Sequence, residues 1–161
     1  MDTIISWVYE LPPELAVLLI AALPVVELRG AIPFGIFAGL HPAWAWALGV
    51  AGSMLPVAPI LLALGPLCRA LRGTRGFRTI VAALDRYSRG RSGQIRRYGP
   101  YGLMLLVAVP LPSTGAWTGA ILASLLGLRL GPAFAAILAG SGLAGAAVVA
   151  LALLGLWAFM P

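Results

Sequence analysis

The sequence predicts an all-α integral membrane protein of two inverted repeats. Each repeat is a re-entrant helical hairpin plus a transmembrane helix, and an amphipathic cytoplasmic segment joins them. Three observations carry this expectation: an overwhelmingly apolar composition, two apolar segments broken by proline and glycine in the same order, and arginines gathered into one loop. The 161 residues are 61% hydrophobic and 10% charged, with a mean hydropathy of +0.98. A soluble domain of this length needs more polar residues to cover its surface. Runs such as "AAVVALALLGLWAF" are apolar on every face, which excludes the alternating strands of a membrane barrel.

Along the chain, Ile4, Ile5, Trp7, Val8 and Leu11 make residues 1–12 an interfacial helix. Asp2, Glu10 and Glu14 stand where a basic n-region would be, so no cleaved signal peptide is expected. Residues 13–40 form the first broken segment. An unbroken helix over residues 14–39 would be roughly 39 Å long, against a hydrocarbon core of about 30 Å. Gly30 and Pro33 sit near its centre and are read as the break between two half-length helices. Residues 42–66 then span the membrane.

The loop at 67–98 holds nine of the eleven arginines, opposed there only by Asp85, and the chain has no lysine. Phe77, Ile80, Val81, Leu84 and Tyr87 keep helical spacing among Arg75, Arg78, Arg86 and Arg89, as in an amphipathic helix on an anionic membrane surface. This charge places loop 69–97 in the cytoplasm of a multi-pass inner-membrane protein. Nucleic acid is not an expected partner. Residues 99–128 form the second broken segment, with Pro110, Pro112 and Gly115 around Ser113 and Thr114. Residues 131–159 are the last span. Both spans contain "AGS", at 51–53 and 139–141. Both broken segments carry glycines four apart, Gly35 with Gly39 and Gly115 with Gly119, a spacing that lets helices approach closely.

Topology follows from charge. If each broken segment crosses the membrane, Arg129 and the Arg-rich loop fall on opposite sides. If each returns to its own side, every arginine except Arg29 is cytoplasmic, and the two halves become inverted repeats.

The chemistry concentrates at Glu27 and Arg29. A charged residue at the bilayer centre costs about 2.5 to 3.5 kcal/mol on insertion scales, so two together are site candidates. Secondary transporters build sites from broken helices at this depth. Residues two apart in a regular helix face away from each other, so either the helix is irregular here or each group has another partner. Ser113, Thr114 and the Trp117 indole are offered by the second hairpin as substrate or proton contacts. A buried pair that only locks the hairpins is the alternative for Glu27 and Arg29. Cys68 and His41 are each the only one of their kind, which leaves no metal-ligand set, and no cofactor or enzymatic motif is present.

At "ELRGAIP" (27–33) and "VPLPSTGAWTGA" (109–120) the sequence resembles the small multidrug export family, grouped with the DedA-like (SNARE-associated, VTT-type) membrane proteins. The resemblance covers roughly residues 20 to 155. It implies paired re-entrant hairpins of opposite orientation and proton-linked export or flipping of an amphiphile or lipid phosphate, such as undecaprenyl phosphate. The family's acidic position falls on Glu27 and its basic one on Arg29. DedA proteins also have an arginine in the second motif, where this chain has no basic residue between Pro110 and Gly119. So short a chain is expected to work as a homodimer in the lipid bilayer, with glycine pairs or "AGSGLAG" (139–145) as contact surfaces. The competing class is a non-transporting membrane scaffold.

Overall fold

Proline sets where the first helices begin and end. In the computed structural model, which describes residues 11–71, 79, 98–109 and 115–159, α1 (Pro13–Ala22) opens on Pro13. There the missing N–H costs no intrahelical bond. It closes because Pro24 drives the residue before it out of the helical region: Leu23 is extended, at φ −73° and ψ 138°. A turn at 24–26 leads into α2 (Glu27–Phe37). Glycine closes α2. Gly39, at φ +90°, lets its own N–H reach the Ile36 carbonyl at 3.1 Å and the Leu40 N–H reach Gly35 at 2.9 Å, which is a Schellman cap. His41 follows, its Nδ1 accepting from the Ala43 N–H at 3.3 Å, and α3 (Pro42–Leu71) begins.

The second half repeats these devices. α4 (Pro100–Ala108) opens on a proline, and Val109, immediately before Pro110, is extended. After Gly115, α5 (Ala116–Leu126) ends on Gly127 in the left-handed region. Gly127 donates to Ser124 at 3.1 Å and Leu128 to Ala123 at 2.9 Å, the same cap as at Gly39. One polar residue, Arg129, then precedes α6 (Leu130–Phe159). The described residues hold six helices and no strand. The short helices have 10, 11, 9 and 11 residues, about 15 Å each. α3 and α6 have 30 each.

The first break is not where the sequence analysis put it. Gly30 and Pro33 both lie inside α2, and the chain reverses at Leu23–Val26. Pro24 forces that reversal. Pro33 denies the Arg29 carbonyl its helical donor without ending the helix. Gly30 serves close packing, because a Cβ there would collide with Val26 Cγ1.

Two windows, Pro42–Cys68 and Leu130–Gly155, are long and apolar enough to cross a membrane, and only 39% and 33% of them is buried inside the chain. The core helix of a soluble protein would be mostly buried. The remaining apolar surface requires lipid.

The chain divides into two compact units, residues 1–55 with 142–161, and residues 56–141. In the first, Val17 and Ala21 of α1 pack with Ala31 of α2. Leu28 and Ile32 of α2 meet Ala144 and Val148 of α6. Gly52 of α3 lies so close to α1 that a Cβ would strike the Leu18 carbonyl and Ala21. In the second unit Gly140 of α6 does the same against α4: a Cβ would stand 2.7 Å from the Met104 carbonyl oxygen and 2.8 Å from Val107 Cβ.

Gly52 and Gly140 are the central residues of the two "AGS" triplets. Both triplets therefore set a glycine against the backbone of a short helix. The glycine pairs are not equivalent to each other. Gly39 is a cap with open space beside it, whereas Gly35 meets Val17 and Gly119 meets Val107. Within "AGSGLAG", Gly140 and Gly145 are likewise taken up by contacts inside the chain, so these glycines are not free surfaces for a second copy.

Candidate functional site

Glu27 is the first residue of α2 and is 7% exposed. It is also the one non-glycine residue with a positive φ among the described residues, at 48°. A side chain there brings Cβ against the backbone, at a cost of about 1–2 kcal/mol. The geometry is imposed from both sides. Upstream, the Glu27 N–H bonds the Leu23 carbonyl at 3.1 Å, closing the turn that Pro24 began. Downstream, Leu28 is 3% exposed and anchored in the core against α6. Glu27 is thus a buried carboxyl group at the positive end of a short helix, where a negative charge is favoured, on a strained backbone.

Arg29 lies one helical step beyond Leu28 and is half-buried. Neither Glu27 nor Arg29 is without an interaction partner. Because Glu27 is not in a helical conformation, the rule that separates residues two apart does not hold at this point. The tip beside them is apolar and open: Val25 is 91% exposed. Above it, Gly30 accommodates Val26.

At the start of α5, Gly115 is buried and extended, at φ −166°, and Trp117 is half-buried in the first turn. Trp117 and Thr118 both have interaction partners. Ser113, Thr114, Pro110 and Pro112 lie outside the described residues, as do Arg75, Arg78, Arg86, Arg89 and the interfacial segment at 1–10. Glu27 and Arg29 belong to the first compact unit, Gly115 and Trp117 to the second.

Sequence reasoning missed three buried hydroxyls. Ser53 Oγ donates to the Val50 carbonyl and Ser124 Oγ to the Ala120 carbonyl, each at 2.9 Å. Ser141, at the position in α6 that Ser53 holds in α3, is 0% exposed, and its Oγ has no hydrogen-bond partner among the described residues. The repeated "AGS" was the signal for two of them.

Six helices and no strand among the described residues, two of the helices apolar and of spanning length, together with a buried acidic residue at the turn of a short helical pair, define a small multi-pass membrane protein. Residues 27–147 match the family model described as "Putative small multi-drug export protein", and the chain belongs to that family. The match begins at Glu27 and runs into α6. No curated protein and no solved structure matches the chain.

Proposed function

We propose that the chain is a small exporter of the inner membrane, moving an amphiphile or a lipid phosphate such as undecaprenyl phosphate in exchange for protons. The observation that carries this reading is Glu27: a carboxyl group buried to 7% exposure on a left-handed backbone. Strain of this kind collects at functional sites. In this reading the α1–α2 and α4–α5 pairs are re-entrant hairpins of opposite orientation, as in DedA-like proteins, and the Arg-rich loop lies in the cytoplasm. Glu27 exchanges the proton and Arg29 contacts the anionic head group, with Ser113, Thr114 and Trp117 as further candidate substrate or proton contacts. The chain works as a homodimer and catalyses no covalent reaction. The family description supports export; the proton is read from the buried Glu27, and the lipid phosphate is what the resemblance to DedA-like proteins implies.

The test is transport in proteoliposomes under an imposed pH gradient, with a labelled lipid phosphate in one set and a cationic drug in another. Wild type is expected to accumulate one of them, and Glu27→Gln to lose that accumulation while remaining folded. Equal traffic in both proteins removes Glu27 from the mechanism. Loss of folding together with loss of traffic favours a membrane scaffold.

A further inference from the structure

In the second compact unit a pocket of about 100 Å³ opens between the C-terminal part of α3 and the end of α5. Leu61, Leu62, Gly65 and Pro66 form its α3 side, and all four fall within the apolar span Pro42–Cys68. Leu128 and Leu130 form much of the other side. The single polar lining side chain, Ser124, is 2% exposed, and its hydrogen is already committed to the Ala120 carbonyl. No other lining residue carries a polar side chain, which suits an alkyl chain. Its mouth is open, since Leu62 is 61% and Leu130 47% exposed. A Cβ on Gly65 would meet nothing within 4 Å, so no packing inside the chain requires a glycine there.

The second observation is a charge. Arg129 stands in sequence between the lining residues Leu128 and Leu130 and is exposed. A guanidinium presents a fork of donors suited to phosphate. Basic positions beside apolar clefts between spanning helices bind acidic lipid head groups. The volume holds a few methylene groups, the end of one alkyl chain, and no head group.

We propose that this pocket binds an anionic phospholipid, one acyl chain entering between α3 and α5 and the phosphate resting on Arg129. The site is separate from Glu27 and stands whether or not the chain transports anything. A lipid held here braces the Gly127 cap and the start of α6 against α3, because its chain contacts both sides of the pocket at once. Free phosphates lack the apolar half of the interaction, and zwitterionic lipids carry a cation of their own that competes with Arg129.

The experiment measures thermal unfolding of the purified full chain in detergent supplemented with phosphatidylglycerol, phosphatidylcholine or glycerol phosphate. Phosphatidylglycerol is expected to raise the midpoint of wild type several degrees above its value in phosphatidylcholine, and glycerol phosphate to leave it unchanged. Arg129→Gln should abolish that difference, and Arg129→Lys should restore most of it. Gly65→Leu, which fills the pocket from an open position, should at least halve it while matching wild type in phosphatidylcholine. An equal rise with both lipids overturns the proposal, as does a full phosphatidylglycerol effect in Arg129→Gln. A Gly65→Leu protein that fails to fold leaves the arginine pair of variants to decide, since Arg129 is exposed.

Discussion

The indole N–H of Trp46 donates to the carbonyl of Gly142 at 2.9 Å, joining residues 96 apart in sequence. The ring also lies against Gly145, where a Cβ would stand 2.9 Å from Trp46 Cδ1 and 3.0 Å from Nε1. α3 and α6 are therefore held within the first compact unit by one hydrogen bond and one flat ring on a glycine face. Small residues at such crossings let the backbones approach, and interhelical hydrogen bonds add to the packing.

Trp46→Phe keeps most of the ring and removes the donor. It should cost about 1 kcal/mol, read as a drop of a few degrees in thermal unfolding. Gly145→Ala should cost more, because the indole must move. Since both changes break the same contact, the double variant should lose less than the two single losses together. Strict additivity would mean that the bond and the ring contact act independently.

Gly52 and Gly140 are expected to behave as a pair. Alanine at either forces a Cβ onto a helix backbone, the Leu18 carbonyl in one case and the Met104 carbonyl in the other. Overpacking of this kind costs about 1–3 kcal/mol. Gly65 is the control within α3: with open space at its Cβ position, Gly65→Ala should be neutral or stabilise by up to about 1 kcal/mol through helix propensity. Denaturation of the three variants side by side checks the order, and a destabilised Gly65→Ala would contradict the open space.

The helical class was legible in the sequence because it follows from composition, and prolines marked where several of the described helices start. The two close glycine contacts, at Gly52 and Gly140, were signalled by the two "AGS" triplets. The position of the first break was not. Proline marks a helix end when the residue before it turns extended, as at Leu23, but the same residue type is carried inside a helix at Pro33, and α3 holds three more at Pro56, Pro59 and Pro66. Which of these outcomes occurs depends on packing that one sequence does not display. The charged pair stood out because charge in an apolar run is conspicuous. The buried serines did not, because a serine in a helix is ordinary until its neighbours are known.

Ser53 and Ser141 should respond oppositely to alanine. Ser53→Ala removes a hydroxyl that satisfies itself on the Val50 carbonyl, at a loss of up to about 1 kcal/mol. Ser141→Ala removes a buried oxygen with no partner among the described residues. A buried group left unsatisfied costs about 1–3 kcal/mol, so this variant should unfold at a higher temperature than wild type. Equal losses at both positions would show that Ser141 has a partner in solution.

Glu27 gives the sharpest sign. At an ordinary helical position glycine is less stable than alanine by about 0.5–1 kcal/mol. At Glu27 the order should reverse, because alanine keeps the Cβ that φ 48° disfavours and glycine does not. Glu27→Gly should therefore unfold later than Glu27→Ala by about 1 kcal/mol. The comparison with wild type then separates the two readings of this residue. If the carboxyl group is a lock between elements, both variants lose stability relative to Glu27. If it is kept for transport, Glu27→Gly is at least as stable as wild type and inactive, since it sheds both the strain and the burial of a charged group. Thermal unfolding and proteoliposome traffic measured on the same preparations decide between them.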